Sequence, residues 1–405
     1  MAELQEFKVL FENSWPSKLD PRVGFTFEPN ATIRYSNYLD FSVAQQANSL
    51  GFLDKERTFD NPNGSFRILV LGDSMVEAAQ VSISEKFHIL LENKLNTRYA
   101  SRNLKYEVIA LGYSGCGTSN ELSFYEEIGQ KFHPDLVILL FVNNDFANNS
   151  SLLEAIRNGW DPAYLPRLFF KKTDMNKYKR IEINPEWNKY VLKIDEPMKL
   201  FWNIKHNLDK YLKWSPFYNW MIKNIEIGFK VPTQTYYGQM HARKMKLCEN
   251  DEYKKQFEGW NFPEDLDLDN MFFYAEKMPM VFDDAVAITD HVISVFKQET
   301  LRHGAEFMIV AAENCSFTPS SKGGRRIIER GYFKKLLKIS ENHQIPLLDL
   351  YESFSQKGDV NLARWKHDGH WNQTGHMWAA EALFTYFKRD FLSQGLPKSS
   401  SAKQE

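Results

Sequence analysis

The chain is short of cysteine, of charge of one sign and of long apolar runs. Its 405 residues include 3 cysteines, namely Cys116, Cys248 and Cys315. An odd count without zinc-ligand spacing implies no disulfide framework and leans towards a reducing compartment. Lys and Arg number 50 against 52 Asp and Glu, a formal net charge of -2, so no charge excess points to a nucleic-acid partner. Apolar runs stop at strand length, as in Leu136–Val142, well below the ~20 residues that cross a bilayer. Met1 to Lys8 hold no basic stretch leading into an apolar one, so no signal peptide is expected. The expectation is a cytoplasmic chain, or an envelope-associated one if an N-terminal anchor was removed. What remains is a globular balance, 43% hydrophobic, 25% charged and 15% aromatic, long enough for a large core and more than one lobe.

Residues 1–64 are polar and punctuated by Pro16, Pro21, Gly24, Pro29, Pro62 and Gly64, and read as an N-terminal arm or a set of short edge elements. From Phe66 the pattern becomes βα. Strand-like runs at 66–71, 106–111 and 136–142 alternate with helical stretches near 85–99 and 119–132. The pattern resumes with strands at 307–311 and 345–350 and helices at 283–303, 325–343 and 373–391. Strands alternating with helices of this length predict a parallel sheet covered on both faces. The expected fold is α/β, a flavodoxin-like three-layer α/β/α sandwich with a five-stranded parallel sheet. Residues 65–149 and 283–392 would form it, and 393–405 would be a disordered tail.

Between the two halves lie residues 150–282, too many for a structureless loop and expected to be a mostly helical, aromatic-rich cap. Phe201, Ile204, Leu208 and Tyr211 share one face of an amphipathic helix, and Ser215-Pro216 signals the start of a second. The ordinary expectation is a cap packed on the core, with its aromatics buried and its lysines solvated. The other is peripheral contact of 196–230 with an anionic membrane surface.

Chemistry concentrates at four places. The run Phe66 to Leu71 breaks sharply at Gly72-Asp73-Ser74. A serine on such a strand exit points its hydroxyl into the crevice where open α/β sheets take ligands. On its own the tripeptide is equally an ordinary strand-to-helix turn with Asp73 or Ser74 as N-cap. Far downstream, Asp368-Gly-His-Trp-Asn372 supplies a base, His370, and an acid, Asp368, that could orient it. The chain order Ser…Asp…His is one recurring way to build a hydrolytic triad. His367 is the rival base; His133, His303, His343 and His376 read as structural. The glycine-rich turn after the second strand, Gly112 to Thr118, can bring backbone N–H groups to a negative charge. It lacks both a P-loop ending and the dinucleotide spacing. After the third strand, Asn143-Asn144-Asp145 offers an amide donor. No metal and no cofactor are expected.

Together these blocks resemble the SGNH/GDSL hydrolase superfamily. The resemblance is nearer to a bacterial subgroup with Asn48 to Phe52 as Asn-Ser-Leu-Gly-Phe, Ser74 and Glu77 in Gly-Asp-Ser-x-x-Glu, Lys131 to Asp135 as Lys-x-x-Pro-Asp, and Asp368 to Asn372 at the end. It covers about residues 48–149 and 283–390. It implies Ser74 as nucleophile, His370 as base and Asp368 as acid. It implies an oxyanion hole from the Ser74 and Gly115 N–H groups and the Asn144 amide. Met75 stands where the family has leucine, Val142 where it has a glycine, and the acid precedes the histidine by two residues rather than the commoner three. The implied activity is hydrolysis of a carbohydrate or lipid O-acyl ester through an acyl-enzyme. An O-acyltransferase with the same residues, or a non-catalytic membrane-peripheral or binding protein on the same fold, are the alternatives.

Overall fold

The computed structural model describes residues 14–100, 105–161, 164–174, 177–187, 194–230, 232, 234–258, 272–312, 321–322, 325–326 and 328–391. The expected tail at 393–405 and Cys315 lie outside the described residues, and Cys116 and Cys248 are free thiols.

Five strands form one sheet: β1 (Phe66–Gly72), β2 (Tyr106–Gly112), β3 (Leu136–Phe141), β4 (Glu306–Ala311) and β5 (Leu347–Asp349). They lie in the order β2-β1-β3-β4-β5, with every neighbouring pair parallel. This is the flavodoxin-like order, whose switch point falls between β1 and β3. Successive side chains of a strand face opposite ways. Leu69, Leu71, Ile109, Leu111, Val137 and Leu139 accordingly enter one apolar cluster, while Ile68, Val70, Val108, Ala110, Ile138 and Leu140 enter another. Both faces are apolar because crossover helices cover both.

The helices used below are α1 (Ser74–Glu77), α2 (Phe87–Arg98), α3 (Thr118–Glu127), α4 (Glu196–Leu212), α5 (Pro216–Lys230), α6 (Met280–Arg302), α7 (Gly331–Asn342) and α8 (Gln373–Tyr386). Leu91 and Leu95 of α2 and Ala379 and Leu383 of α8 cover the face that holds Val70. Leu122 of α3, Val292 of α6 and Leu336 of α7 cover the face that holds Leu71. The result is the expected α/β/α sandwich.

The described residues before β1 include two antiparallel hairpins, Ser17–Asp20 with Gly24–Phe27 and Thr32–Ser36 with Ser42–Gln46. They do not extend the sheet, yet Phe27, Ile33 and Phe52 are buried in the cluster of Leu71. The Asn48-Ser-Leu-Gly-Phe52 stretch closes on its own side chain: the Asn48 amide oxygen accepts the N–H of Leu50 and of Phe52, each at 3.0 Å. Arg67, buried in β1, fastens the incoming chain. Its guanidinium donates to the carbonyls of Thr58, Phe59, Asp60 and Phe132 and pairs with Glu107 at 2.7 Å.

Residues 150–282 carry α4, α5, a helix at Tyr236–Glu249 and the hairpin Phe169–Asp174 with Lys177–Ile181. Pro216 opens α5 as expected, with the Ser215 hydroxyl accepting the Tyr218 N–H. Phe169, Phe170, Phe257, Phe272, Phe273 and Tyr274 are buried as expected, and the expectation is corrected only around the α4–α5 turn, where Tyr218 is buried but Tyr211, Trp214, Phe217 and Trp220 are exposed. Periodicity fixes which residues share a helix face, not whether any element covers it.

Replacing Arg67 by methionine removes the donor of four carbonyls and of the partly exposed Glu107 carboxylate. We expect a loss of ~1–3 kcal/mol of stability, read as a lower midpoint in urea unfolding. An unchanged midpoint would show that these contacts do not hold the arm.

Candidate active site

The site is assembled at the C-terminal edge of β1 and β3, the switch point of the sheet. β1 ends at Gly72, and α1 begins at once. Asp73 is the N-cap, its carboxylate taking the Met75 N–H at 2.9 Å. Ser74 is therefore the first residue of the helix, where the backbone N–H has no intrahelical acceptor, and its side chain is half-buried. Asp73 is thus the N-cap, as the strand-to-helix turn predicted, and Ser74 is left available for other bonds.

His370 reaches Ser74 from 296 residues away. Its Nε2 lies 2.9 Å from Ser74 Oγ. Asp73 also approaches that hydroxyl, but at 3.4 Å, beyond the range of a good O–H···O bond. The single hydroxyl proton is better placed on the imidazole. On the other side of the ring, Nδ1 bonds the Asp368 carboxylate, and the same oxygen accepts the His370 backbone N–H at 3.3 Å. The two-residue spacing works because Gly369 adopts φ of 87°, a left-handed turn that a side chain would strain. The loop is pinned behind the site: Asn372 caps α8 through Gly375 and donates to the carbonyls of Leu362 and Arg364, and Trp371 is buried.

Burial by itself would depress the His370 pKa. The hydrogen bond and charge of Asp368, helped by Asp73 and Glu77, outweigh it and leave the pKa raised above 6.5. The rival base, His367, is tied instead to Asp40, by Nδ1 and by its backbone N–H, each at 2.8 Å. His376 is buried, stacked on Phe87, and His343 pairs with Asp290; both are structural, as expected.

The loops after β2 and β3 close the other sides. Gly115 has φ of 72°, and among the described residues its N–H meets no acceptor. Its carbonyl is held by Arg167, which also pairs with Glu154 at 3.2 Å. Asn144 donates its amide to Asp73 at 2.9 Å and to Asn148 at 2.9 Å, so both amide protons are engaged in the free site. The structure therefore brings Ser74, His370 and Asp368 into one chain of bonds, and sets Asn144 on the carboxylate beside Ser74.

Sequence reasoning missed three contributors. Glu77 ends the helix that Ser74 begins, and its buried carboxylate takes the Ser114 N–H at 2.7 Å and the Ser114 hydroxyl at 2.8 Å. It thus grips the turn that presents Gly115. Burial pushes its pKa up to about 7, opposed by those bonds. Beneath it, buried Lys86 donates to the carbonyls of Glu77 and Leu53, and burial brings its pKa down to about 7. Tyr35, from the N-terminal hairpin, makes a long 3.5 Å contact with the second Asp368 oxygen. Glu77 had a signal, an acid three residues after the serine. Tyr35 and Lys86 had none.

Two further buried carboxyls, Glu121 and Asp145, lie in the field of Asp73. Burial first, and like charge second, raise both well above the ordinary range. Among the described residues no cluster of His, Cys, Asp and Glu could hold a metal ion. Among the described residues no helix is long and apolar enough to cross a membrane.

No protein-family model and no curated protein matches the chain. The solved structures it is similar to include esterase EstA from Pseudoalteromonas sp., at 10% identity, covering 80% of this chain and 97% of that one, with a TM-score of 0.35. A GDSL-like lipase from Bacteroides thetaiotaomicron shares 9% identity over 82% and 92%, with a TM-score of 0.31. A mutant of Axe2, an acetyl-xylooligosaccharide esterase from Geobacillus Stearmophilus, shares 13% over 82% and 98%, with a TM-score of 0.37. Likenesses of this depth say nothing of activity, and the fold rests on the strand order and direction given above.

The His370 bonds predict a titration. An NMR titration of its imidazole should give a pKa above 6.5, and Asp368→Asn should bring it down, because the charge that favours the imidazolium is removed. A midpoint that does not move would uncouple Asp368 from the ring.

Proposed function

We propose that this chain is a serine-dependent ester hydrolase acting on an acyl ester, of the carbohydrate or lipid O-acyl class. The observation that carries the reading is the 2.9 Å bond between Ser74 Oγ and His370 Nε2, with Asp368 on the far side of the ring.

His370 takes the Ser74 proton as Oγ attacks the ester carbonyl carbon. The carbonyl oxygen becomes an oxyanion facing the N–H groups of Ser74 and Gly115. The Asn144 amide joins them once it leaves Asp73 or Asn148. The intermediate collapses, His370 returns the proton to the departing alcohol, and the acyl group stays on Ser74. Water, activated by His370 in turn, cleaves the acyl-enzyme and frees the acid. An acceptor alcohol in place of water would make the same residues an O-acyltransferase.

A fluorophosphonate incubated with the folded protein should attach to Ser74, located by mass spectrometry, and His370→Ala should abolish the adduct. Folded protein that stays unlabelled would count against an activated serine and in favour of a binding protein on this fold. On any ester that is turned over, product analysis with and without added alcohol separates hydrolysis from transfer.

Glu77 is a positioning residue in this scheme, acting through the Ser114-Gly115 turn. Glu77→Ala should lower kcat by about tenfold or more with KM little changed, since the loss of a whole oxyanion donor costs about 10²–10³. Glu77→Gln should recover much of it, because its carbonyl oxygen can still accept the Ser114 N–H. Equal losses in both variants would assign Glu77 to charge rather than to positioning.

A further inference from the structure

The turn between α4 and α5 is an unusual piece of surface. Tyr211, Trp214, Phe217 and Trp220 are 74%, 72%, 69% and 61% exposed. All four fall within ten residues around the helix junction, and Ile204 and Leu200 extend the patch along α4. Scattered exposed apolar residues are normal on a protein, but a contiguous group of large rings marks a surface that meets something else.

The rings are ordered rather than splayed. Phe217 and Trp220 stack with centroids 5.9 Å apart and planes 27° apart. The Trp214 indole N–H donates to the Tyr211 carbonyl at 2.7 Å, so it carries no unmet donor into an apolar medium. Beneath the turn the two helices are fixed to one another. The buried Tyr218 hydroxyl donates to Asp209 at 2.7 Å, and Phe201 packs against Phe229 with centroids 5.3 Å apart.

Charge narrows the occupant. Residues 210–225 contain Lys210, Lys213 and Lys223 and no acid. Asp209, next in sequence, is already paired with Lys205 at 2.6 Å. Lys213 and Lys223 form no ion pair among the described residues. A second copy docking through the same patch would set each lysine cluster against its own duplicate, because a twofold contact is self-facing. A bilayer with anionic headgroups has the opposite character: lysines meet lipid phosphate while rings enter the boundary between headgroup and acyl chain. Trp and Tyr favour that boundary, which suits an apolar ring with a polar edge.

We propose that the aromatic turn 211–220, flanked by Lys210, Lys213 and Lys223, docks this chain onto an anionic lipid surface. The turn dips into the interface and does not span the bilayer. The insert then serves as an anchor. Through α4 it also touches the hairpin that holds the triad loop: the Tyr38 hydroxyl lies 3.3 Å from the His206 ring nitrogens, and Asp40, two residues on, holds His367. The docking surface itself is independent of what Ser74 does.

The test is co-sedimentation of the full chain with vesicles of phosphatidylcholine and phosphatidylglycerol in equal parts, beside vesicles of phosphatidylcholine alone. We expect binding to the mixed vesicles, weaker binding to the neutral ones, and weakening by salt. Replacing Lys210, Lys213 and Lys223 by glutamine should lower affinity for mixed vesicles by about fivefold per lysine. The triple change Trp214→Ser, Phe217→Ser and Trp220→Ser should lower it on the order of tenfold per ring. Circular dichroism should show both variants folded, since the aromatic side chains changed are exposed. Absence of binding to mixed vesicles, or full binding by the aromatic variant, would overturn the proposal. So would self-association in lipid-free solution that the aromatic variant abolishes, which would give the patch to a second copy.

Discussion

A buried carboxylate held by hydrogen-bond donors, with no ion pair among the described residues, is the constraint on which the site depends. Asp73 is wholly buried, and removal from water would drive it to protonate; its pKa is raised for that reason. What opposes the cost is a pair of donors, the Met75 N–H and the Asn144 amide. Each comes from a piece of the site. The first starts α1 immediately after β1, and the second ties the loop after β3 to that start, beside the nucleophile candidate. One buried acid thus registers the ends of two neighbouring strands, and Ser74 stands where they meet.

The remaining wall depends on a second buried acid. Glu77 is one helical turn from Ser74 and binds the loop after β2 through Ser114. Together the two acids fix three strand ends relative to one serine, and neither uses a salt bridge to do so. This suits an oxyanion site, where fixed backbone donors are more effective than mobile side chains because they need no reorganisation as charge develops. The acid-bearing loop is held differently. It is clasped from outside by the N-terminal hairpin, through Asp40 to His367 and Tyr35 to Asp368. A segment that resembles a dispensable arm in composition is therefore part of the geometry around Ser74, His370 and Asp368.

Much of this was legible beforehand. Alternating strands and helices of the right length announced the sandwich, because a strand buried on both faces reads as an unbroken apolar run. Gly72-Asp73-Ser74 and Asp368-Gly-His370 were visible because their chemistry is local: a sharp strand exit, and an acid two residues from a base. Glu77 was visible in the same run but had no assignable task until Ser114 was found against it. Tyr35, Lys86 and Arg167 could not be found, since each acts on a residue dozens to hundreds of positions away and has no spacing to betray it. The insert shows the opposite balance. Its α4–α5 helices and their Ser215-Pro216 junction follow from local pattern, while the exposure of the rings at that junction does not.

The sequence by itself determined the local grammar: which runs become strands, where they stop, which serine and which histidine stand at strand or helix ends, and which insert helices carry rings and lysines. Those are properties of backbone preference and side-chain period, set within a few residues. The tertiary structure decided the rest. It chose His370 over His367 by giving one of them Ser74 and the other Asp40, and it brought Tyr35 to Asp368 and Arg167 to the Gly115 turn. It also left Tyr211, Trp214, Phe217 and Trp220 facing outward. Distances across a fold and the covering of a helix face depend on how layers dock, and no short-range preference encodes that.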